Sequence, residues 1–263
     1  MCPLAKMGTL NFLAETGSRL PSPRHIEWPP GAMLKIELHT HTDHDPLDRV
    51  PHSSRDLIDH AASLGYHALA ITLHDRFYHS EADAAYARER SIVLLPGIER
   101  TVAGRHVLLI NFPAACESVR SFDDIARLKS QCAGLVVVPH AFYPTGSSLG
   151  RHLDEHRTVL DAIEVNAMYT RWLNFNRRAV DWALAHGKPI VGNSDLHRLE
   201  QLGSTYSLVE AEADPDAICE AIRAGRVQIR SQPLSSLRAG MIFGKMAIAG
   251  ALGRIIGAGA HRD

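Results

Sequence analysis

The stretch LKIELHTHTDHD, residues 34–45, concentrates side chains that bind metal ions. Five of them fall within seven positions: His39, His41, Asp43, His44 and Asp45. Such a cluster of acidic and imidazole side chains is rare in a soluble domain unless a cation is bound within it. His39 and His41 fall on one face of a predicted strand, about 7 Å apart along the chain, so both rings can turn toward one cation. Neutral imidazole binds zinc, and it binds iron or manganese where carboxylates join it.

Histidine and acidic residues recur at the ends of later predicted strands. A lone HxH pair is more often solvated or satisfied within a core than bound to a metal. Here the feature recurs at the ends of five segments, which favours a metal site. The residues at the later ends are His74, Glu99, His140, Asp195 and His197.

Predicted strands alternate with predicted helices from Leu34 onward. Leu34, Ile36 and Leu38 share one face of the first strand. The further strands are ALAIT, IVLLPGIE, GLVVVPH, AIEVNA and PIVGNSDLH. The helices are SSRDLIDHAASLG, EADAAYARERS, FDDIARLKSQ, LDEHRTVL, NFNRRAVDWALAHG and DPDAICEAIRAG. Serine at the first helix start, Gly65 and Gly187 after helix ends, and Asp214 or Asp216 before the last helix mark boundaries.

This alternation predicts a parallel α/β architecture. About seven predicted strands are compatible with a barrel, in which functional residues gather at the carboxyl ends of the strands. Periodicity alone does not separate a barrel from an open doubly wound sheet. One segment differs, because RTVAGRHVLLINF has two apolar runs around Gly104 and predicts a hairpin. That hairpin would bring Glu99 near His106.

Composition limits the classes of function. The chain has 28 basic and 29 acidic residues among 263, so no basic surface for duplex DNA is expected. Four cysteines lack CxxC spacing, which indicates a reduced, cytoplasmic setting without a disulfide framework. No secretory leader or uncharged 20-residue span is expected. Residues 1–33 are predicted to be a poorly ordered arm, residues 34–232 the catalytic domain, and residues 233–263 an apolar helical tail.

Six motifs in chain order resemble those of the PHP family, named for polymerase and histidinol phosphatase domains. They are HTH at 39–41, ITLHD at 71–75, PGIE at 96–99, the histidine of GRHVLL, PHA at 139–141 and NSDLH at 193–197. The resemblance spans roughly residues 34–210. It implies a distorted (βα)7 barrel, a TIM-like α/β fold. It also implies two or three divalent ions of zinc, manganese or iron, and phosphoesterase activity.

The resemblance also implies a ligand set for each ion. The first ion would take His39, His41, Glu99 and Asp195. The second would share Glu99 and add His106 and His140. The third would take His74, His197 and one side chain from the loop TDHDPLDRVPHSS. That loop is longer than the usual Ser-Asp-Gly turn, and Asp45 is the preferred ligand within it. The competing residues are Asp43, His44, Asp48 and His52.

A second departure from the family pattern is Leu73, where an aspartate is common. His74 is retained, but a hydrogen-bonding partner of the third site would be lost. Arginines at segment ends could hold a second phosphate or a carboxylate, or could be solvated surface charges. These arginines are Arg76, Arg100, Arg171 and Arg198.

Two cations suit a phosphate ester, because its transition state concentrates negative charge that they can bind together while they activate a water. We therefore expect a metal-dependent phosphoesterase. The catalytic residues would be His39, His41, Glu99, Asp195 and His197. The expected partner is a small phosphorylated metabolite, a nucleotide or a short nucleic-acid end.

Two other classes remain open. A metal-dependent amidohydrolase also uses HxH on its first strand, but Lys188 precedes its strand instead of ending it, where a bridging lysine would lie. A non-catalytic metal-binding module is the other alternative, although a nearly complete ligand set argues against it. The apolar tail is expected to pack on the domain, or to contact a partner or a membrane surface.

Overall fold

The computed structural model describes residues 33–235 and 237–241. The strands are β1 Met33–Glu37, β2 Ala68–Ala70, β3 Val93–Leu95, β4 Gly97–Val102, β5 Arg105–Ile110, β6 Leu135–Val138, β7 Ala162–Asn166, β8 Ile190–Asn193, β9 Thr205–Glu210 and β10 Val227–Ser231. The helices are α1 Ser54–Ser63, α2 Glu81–Arg88, α3 Phe122–Lys129, α4 Leu153–His156, α5 Asn176–Ala185 and α6 Pro215–Arg223.

The strands form two five-stranded sheets, in the orders β10-β9-β1-β2-β3 and β4-β5-β6-β7-β8. The pairs β1–β2, β2–β3, β6–β7 and β7–β8 are parallel. The predicted α/β class is therefore confirmed. No ladder between the named strands of residues 33–235 joins the two sheets, so the closed (βα)7 barrel is not confirmed and stays a prediction.

Side chains and single bridges connect the two sheets instead. Ser207 on β9 accepts a hydrogen bond from the main-chain nitrogen of Gly192 on β8 at 2.8 Å, and its hydroxyl lies 3.2 Å from the Gly192 carbonyl. An isolated bridge pairs His74 with Glu99, and another pairs Thr40 with Leu196. The sheets are thus held together near the strand ends that carry the predicted ligands.

The helix boundaries follow local capping chemistry. Ser53 and Asp56 form a reciprocal capping box at the start of α1, and Ser121 and Asp124 form another at the start of α3. Asp214 caps α6 by accepting from two main-chain nitrogens. Gly65 and Gly187 have positive φ after α1 and α5, as predicted from their positions after helix ends. The helices that flank the sheets are therefore encoded locally.

The first strand shows why its polar residues matter. Leu34, Ile36 and Leu38 are fully buried in a core shared with residues of both sheets, as their spacing predicts. Glu37, on the opposite face, is also fully buried, because β1 is the central strand of its sheet and is covered on both faces. A charged residue placed there needs hydrogen-bond partners from the protein.

The hairpin prediction is confirmed. β4 and β5 pair antiparallel around Ala103 and Gly104, both with positive φ. Two further strands, β9 and β10, were not predicted: β9 pairs antiparallel with β1, and β10 pairs antiparallel with β9. The TYSLVE segment of β9 lacks strict alternation, whereas VQIRS of β10 alternates apolar and polar residues over only four positions. The predicted helix in LDEHRTVL is only the single turn of α4.

The predicted arm, apart from Met33 in β1, and most of the predicted tail lie outside the described residues. At the start of the tail, Leu234 forms a bridge with Thr170 and packs with Met168 and Ala239. No described helix has the length and apolarity needed to cross a bilayer. Cys116, Cys132 and Cys219 are free thiols, and Cys2 lies outside the described residues.

The close approach of the two sheets at Gly192 leaves no room for a side chain. An added Cβ would lie 2.9 Å from the Ile229 side chain and 3.1 Å from the Tyr206 carbonyl. Gly192→Ala is expected to lower the free energy of unfolding by about 1–3 kcal/mol through overpacking. Urea titration measures this change. Gly146→Ala is the control, because nothing lies within 4 Å of its added Cβ. Equal stabilities of the two variants would contradict the prediction.

Candidate metal centre

The side chains predicted as ligands converge at one end of the two sheets. His39 and His41 follow β1 and are fully buried. Their ring centroids lie 5.3 Å apart. His74 follows β2, and its ring stacks on that of His41 with centroids 4.4 Å apart. Three imidazoles from one sheet therefore meet at its rim.

Glu99, on β4, is the acid at the centre of this group and is almost fully buried. Its Oε1 atom lies 2.6 Å from Nδ1 of His106 and 3.2 Å from Nε2 of His140. The hairpin register places His106 opposite Thr101, so β5 returns its histidine toward Glu99. The second sheet thus contributes a carboxylate and two imidazoles.

The other oxygen of Glu99, Oε2, faces the three imidazoles of the first sheet. It lies 3.3 Å from Nε2 of His39, 3.4 Å from Nε2 of His41 and 3.2 Å from Nε2 of His74. The Nε2 atoms of His39 and His41 and the Oε2 atom of Glu99 are buried, and none has a hydrogen-bond partner within the described residues. Unpaired buried polar atoms are costly, and a divalent cation would satisfy all three. The donor set therefore fits a metal ion.

Asp195 and His197 close the remaining side. Asp195 follows β8 with a positive φ of 51°, and its Oδ1 atom lies 3.4 Å from Nε2 of His39 and 3.7 Å from Nε2 of His41. The His197 ring stacks on His41 with centroids 4.3 Å apart. His140 also has a positive φ, of 31°. Strained backbone at two such residues is typical of a functional site.

Three overlapping groups have ligand atoms close enough to hold an ion. They are His39, His41 and Glu99; His74, Glu99 and His106; and His41, His74 and His197. The structure therefore brings together Glu99, Asp195 and the six histidines preferred as ligands, which are His39, His41, His74, His106, His140 and His197. The assignment of particular residues to particular ions stays a prediction.

A family model described as PHP-associated matches residues 174–227, from the loop before α5 to the start of β10. The fold is similar to a two-domain protein from Bacteroides vulgatus ATCC 8482 that contains a predicted PHP-like metal-dependent phosphoesterase. The TM-score is 0.60 at 20% identity, over 83% of this chain and 70% of that chain. The family model and the fold similarity both support the PHP family that the sequence motifs resemble.

Two other solved structures are similar in fold to this chain. PsfC from Pseudomonas syringae PB-5123 has a TM-score of 0.58 at 17% identity, over 84% of this chain and 99% of that chain. The lesion-specific endonuclease PfuEndoQ from Pyrococcus furiosus has a TM-score of 0.52 at 16% identity, over 75% of this chain and 57% of that chain. No curated protein matches the sequence.

Two aspartates of the long loop after His41, Asp45 and Asp48, make different contacts with the site. Asp45, the preferred third-site ligand, lies behind the rings: its Oδ2 atom is 2.8 Å from Nδ1 of His41 and 3.0 Å from Nδ1 of His74. Its Oδ1 atom accepts from two main-chain nitrogens of the loop. Asp48 instead points to the rim, with Oδ2 2.9 Å from Nε2 of His197 and 3.9 Å from Nδ1 of His74. This geometry favours Asp48 as the ligand and Asp45 as the residue that orients both rings.

The other candidate ligands of that loop do not face the metal centre. Asp43 and His44 are exposed. His52 is buried, and its Nε2 atom lies 2.9 Å from the His41 carbonyl, so it supports the loop. Leu73, the departure from the family pattern, is fully buried in the apolar cluster around α1. Leu73 supplies no hydrogen-bonding partner, but the His74 ring still has a carboxylate partner in Asp45.

The charged groups of the candidate metal centre stabilise one another. Burial opposes protonation of His39, but Asp195, Glu164 and Glu99 outweigh it and raise the pKa of His39. Burial also opposes ionisation of Asp195, yet His39 and His197 hold the pKa of its carboxyl well below its usual range. Burial lowers the pKa of His41, and the charge of His197 lowers it further. A bound cation would take the place of the protons that balance these carboxylates.

The predicted anion-binding arginines differ in their surroundings. Arg100 donates to Asp75 at 2.6 Å and to the Val119 carbonyl at 2.8 Å, so it holds a loop. Arg76 is exposed and donates to the His44 carbonyl at 3.0 Å, beside the long loop. Arg198 pairs with Glu200, and Arg171 is exposed. Arg76, Arg171 and Arg198 therefore stay predictions as substrate contacts.

Sequence reasoning missed two buried glutamates. Glu37 on β1 accepts from the main-chain nitrogens of His39 and Ser194, and Glu164 on β7 lies 2.9 Å from Nδ1 of His39. Both are fully buried. For Glu164 the signal was present, because an acid inside the otherwise buried parallel strand β7 is unusual and needs a partner.

The three aspartates of the long loop should behave differently when each is changed to asparagine. Asp45→Asn is expected to weaken metal affinity about 10–100-fold, because two ligand rings lose the carboxylate that orients them. Asp48→Asn should lower the metal content by one ion per chain. Asp43→Asn is the matched exposed control and should change neither. Metal analysis after gel filtration and calorimetric titration measure both quantities, and identical behaviour of all three would contradict these roles.

Proposed function

We propose that this protein is a metal-dependent phosphoesterase of the PHP family that hydrolyses a phosphate ester of a small metabolite, a nucleotide or a short oligonucleotide. The observation that supports it most is the convergence of two buried imidazole nitrogens and one carboxylate oxygen that have no hydrogen-bond partner within the described residues. Oxygen and nitrogen donors in this arrangement suit zinc, manganese or iron.

We assign the ligands to two or three ions. The first ion would be held by His39, His41, Glu99 and Asp195. The second would share Glu99 and be held also by His106 and His140. The third would be held by His74, His197 and Asp48. When bound, such ions would attract the charge of the phosphate and lower the pKa of a water nucleophile.

The protein's own residues prepare the site for this chemistry. Glu99 and Asp195 supply negative charge that offsets the cations, so that the phosphate is not held too tightly to be released. Asp45 keeps the Nε2 atoms of His41 and His74 directed toward Glu99. The His41 ring packs against the rings of both His74 and His197, which restricts its rotation. The residues are therefore fixed before substrate arrives, which lowers the cost of reaching the transition state.

His197 is suited to a second role at the rim. Burial opposes its protonation, but Asp48 and Asp195 outweigh burial and raise the pKa of His197. Where no third ion occupies the rim, a protonated His197 can donate its Nε2 proton to the leaving oxygen. Proton donation at this position would support departure of an alkoxide or ribose oxygen.

The substrate class includes nucleic-acid ends as well as small phosphates. The neutral composition predicted no binding to duplex DNA, but a lesion-specific endonuclease shares the fold. Composition is therefore too weak a reason to exclude DNA. A non-catalytic module is disfavoured, because the six histidines preferred as ligands converge. Only a measurement of turnover separates the remaining substrates.

Activity should depend on the metal and on Asp195. Asp195→Ala and His39→Ala are each expected to lower the rate on p-nitrophenyl phosphate or bis-p-nitrophenyl phosphate by more than roughly 100-fold, the upper end for loss of an outer partner of a metal ligand. Added chelator should abolish activity, and Mn²⁺ or Zn²⁺ should restore it. The control is His79→Ala, because His79 is exposed and pairs with Glu81.

Two results would contradict the proposal. Unchanged activity in both ligand variants would show that the reaction occurs elsewhere. Absence of turnover on phosphomonoesters, phosphodiesters and amides by metal-loaded protein would favour the non-catalytic module. Turnover of amides alone would favour the amidohydrolase class.

A further inference from the structure

Glu164 lies on the side of His39 that faces away from Glu99. It is on β7 and fully buried. Its Oε2 atom lies 2.9 Å from Nδ1 of His39, while Nε2 of the same ring faces Glu99 at 3.3 Å. The two nitrogens of one imidazole are thus divided between a carboxylate behind the ring and the proposed metal centre.

The same carboxylate reaches the other side of the centre. Its Oε1 atom accepts from the main-chain nitrogen of His140 at 3.0 Å and from the side-chain amide of Asn166 at 3.0 Å. The Asn166 amide also lies 3.2 Å from Oδ2 of Asp195. Asn193 donates to Oε2 at 3.0 Å. One buried acid therefore contacts His39 and His140, and it is connected to Asp195 through one amide.

Burying a carboxylate costs free energy unless hydrogen bonds replace those that it made to water. Glu164 accepts hydrogen bonds from three N–H groups, and an ionised carboxylate can only accept, so the contact at 2.9 Å requires a hydrogen on Nδ1 of His39. An Nδ1–H donor leaves the Nε2 lone pair free to bind a cation. A carboxylate behind a ligand imidazole commonly fixes the ring and its tautomer in this way.

We propose that Glu164 is a positioning residue that holds His39 as the Nδ1–H tautomer, with Nε2 directed into the metal centre, and that it also sets the places of His140 and Asp195. This inference rests on the proposed metal centre. Glu164 does not touch the substrate. Its effect should therefore appear in metal affinity and in the state of the His39 ring, apart from any rate.

Glu164→Gln tests this role, with Asp161→Asn as the matched control. Asp161 precedes the same strand, is buried, and pairs with Lys129 at 2.6 Å, away from the ligands. We expect Glu164→Gln to weaken zinc affinity about 10–100-fold in competition with a chromophoric chelator. Asp161→Asn should lower the melting temperature yet leave zinc affinity within about twofold, well below that range.

The state of the ring is measured on the unmodified protein. Long-range ¹H–¹⁵N spectra of the zinc-loaded chain should show His39 protonated at Nδ1, with the signal assigned by its absence in His39→Gln. A proton on Nε2 would overturn the proposal even if Glu164→Gln fails to fold. Equal zinc affinity of Glu164→Gln and the unmodified protein would also overturn it and leave the proposed function intact. Failure of the unmodified protein to bind zinc, manganese or iron would overturn both.

Discussion

The site depends on the burial of Glu99 among imidazoles. A carboxylate that is 1% exposed must be balanced by charge from its surroundings, and five histidine rings lie around it. Its Oε1 atom has hydrogen-bond partners, whereas Oε2 faces three ring nitrogens without forming a hydrogen bond. Lone pairs directed at one another are unfavourable, and a cation between them removes that conflict. Both the surrounding histidines and a bound cation would therefore balance the buried charge of Glu99.

The ligand set could be predicted from the sequence because its members end separate strands. In a fold with parallel strands, the carboxyl ends meet at one rim, so His39, His74, His140 and Asp195 converge although they are distant in the chain. His106 was predicted by a different argument, since the hairpin around Gly104 returns β5 beside Glu99. Strand position and turn chemistry are local properties that predict where these residues meet, whereas their assignment to particular ions came from the resemblance to the PHP family.

Other features depend on contacts that no local pattern reports. The roles of Asp45 and Asp48 follow from the path of a long loop, in which one carboxylate turns behind two rings and the other faces His197. Glu164 was overlooked because its partners come from three different strand ends. The antiparallel strands β9 and β10 were missed, because β9 is selected by its pairing with β1. Tertiary pairing outweighs weak local preference in such segments.

The contact between Gly192 and Ser207 lies at the boundary between the two sheets. Between β8 and β9 the two sheets are joined through a serine hydroxyl. The proposed ligands are divided across the same boundary, with His39, His41 and His74 on one side and Glu99, His106, His140 and Asp195 on the other. An ion bound among them would act as a cross-link between the two halves of the domain. Loss of that ion would leave the halves joined by their shared apolar core and by isolated bridges, and the rim that carries the ligands would then be the part of the boundary that opens first.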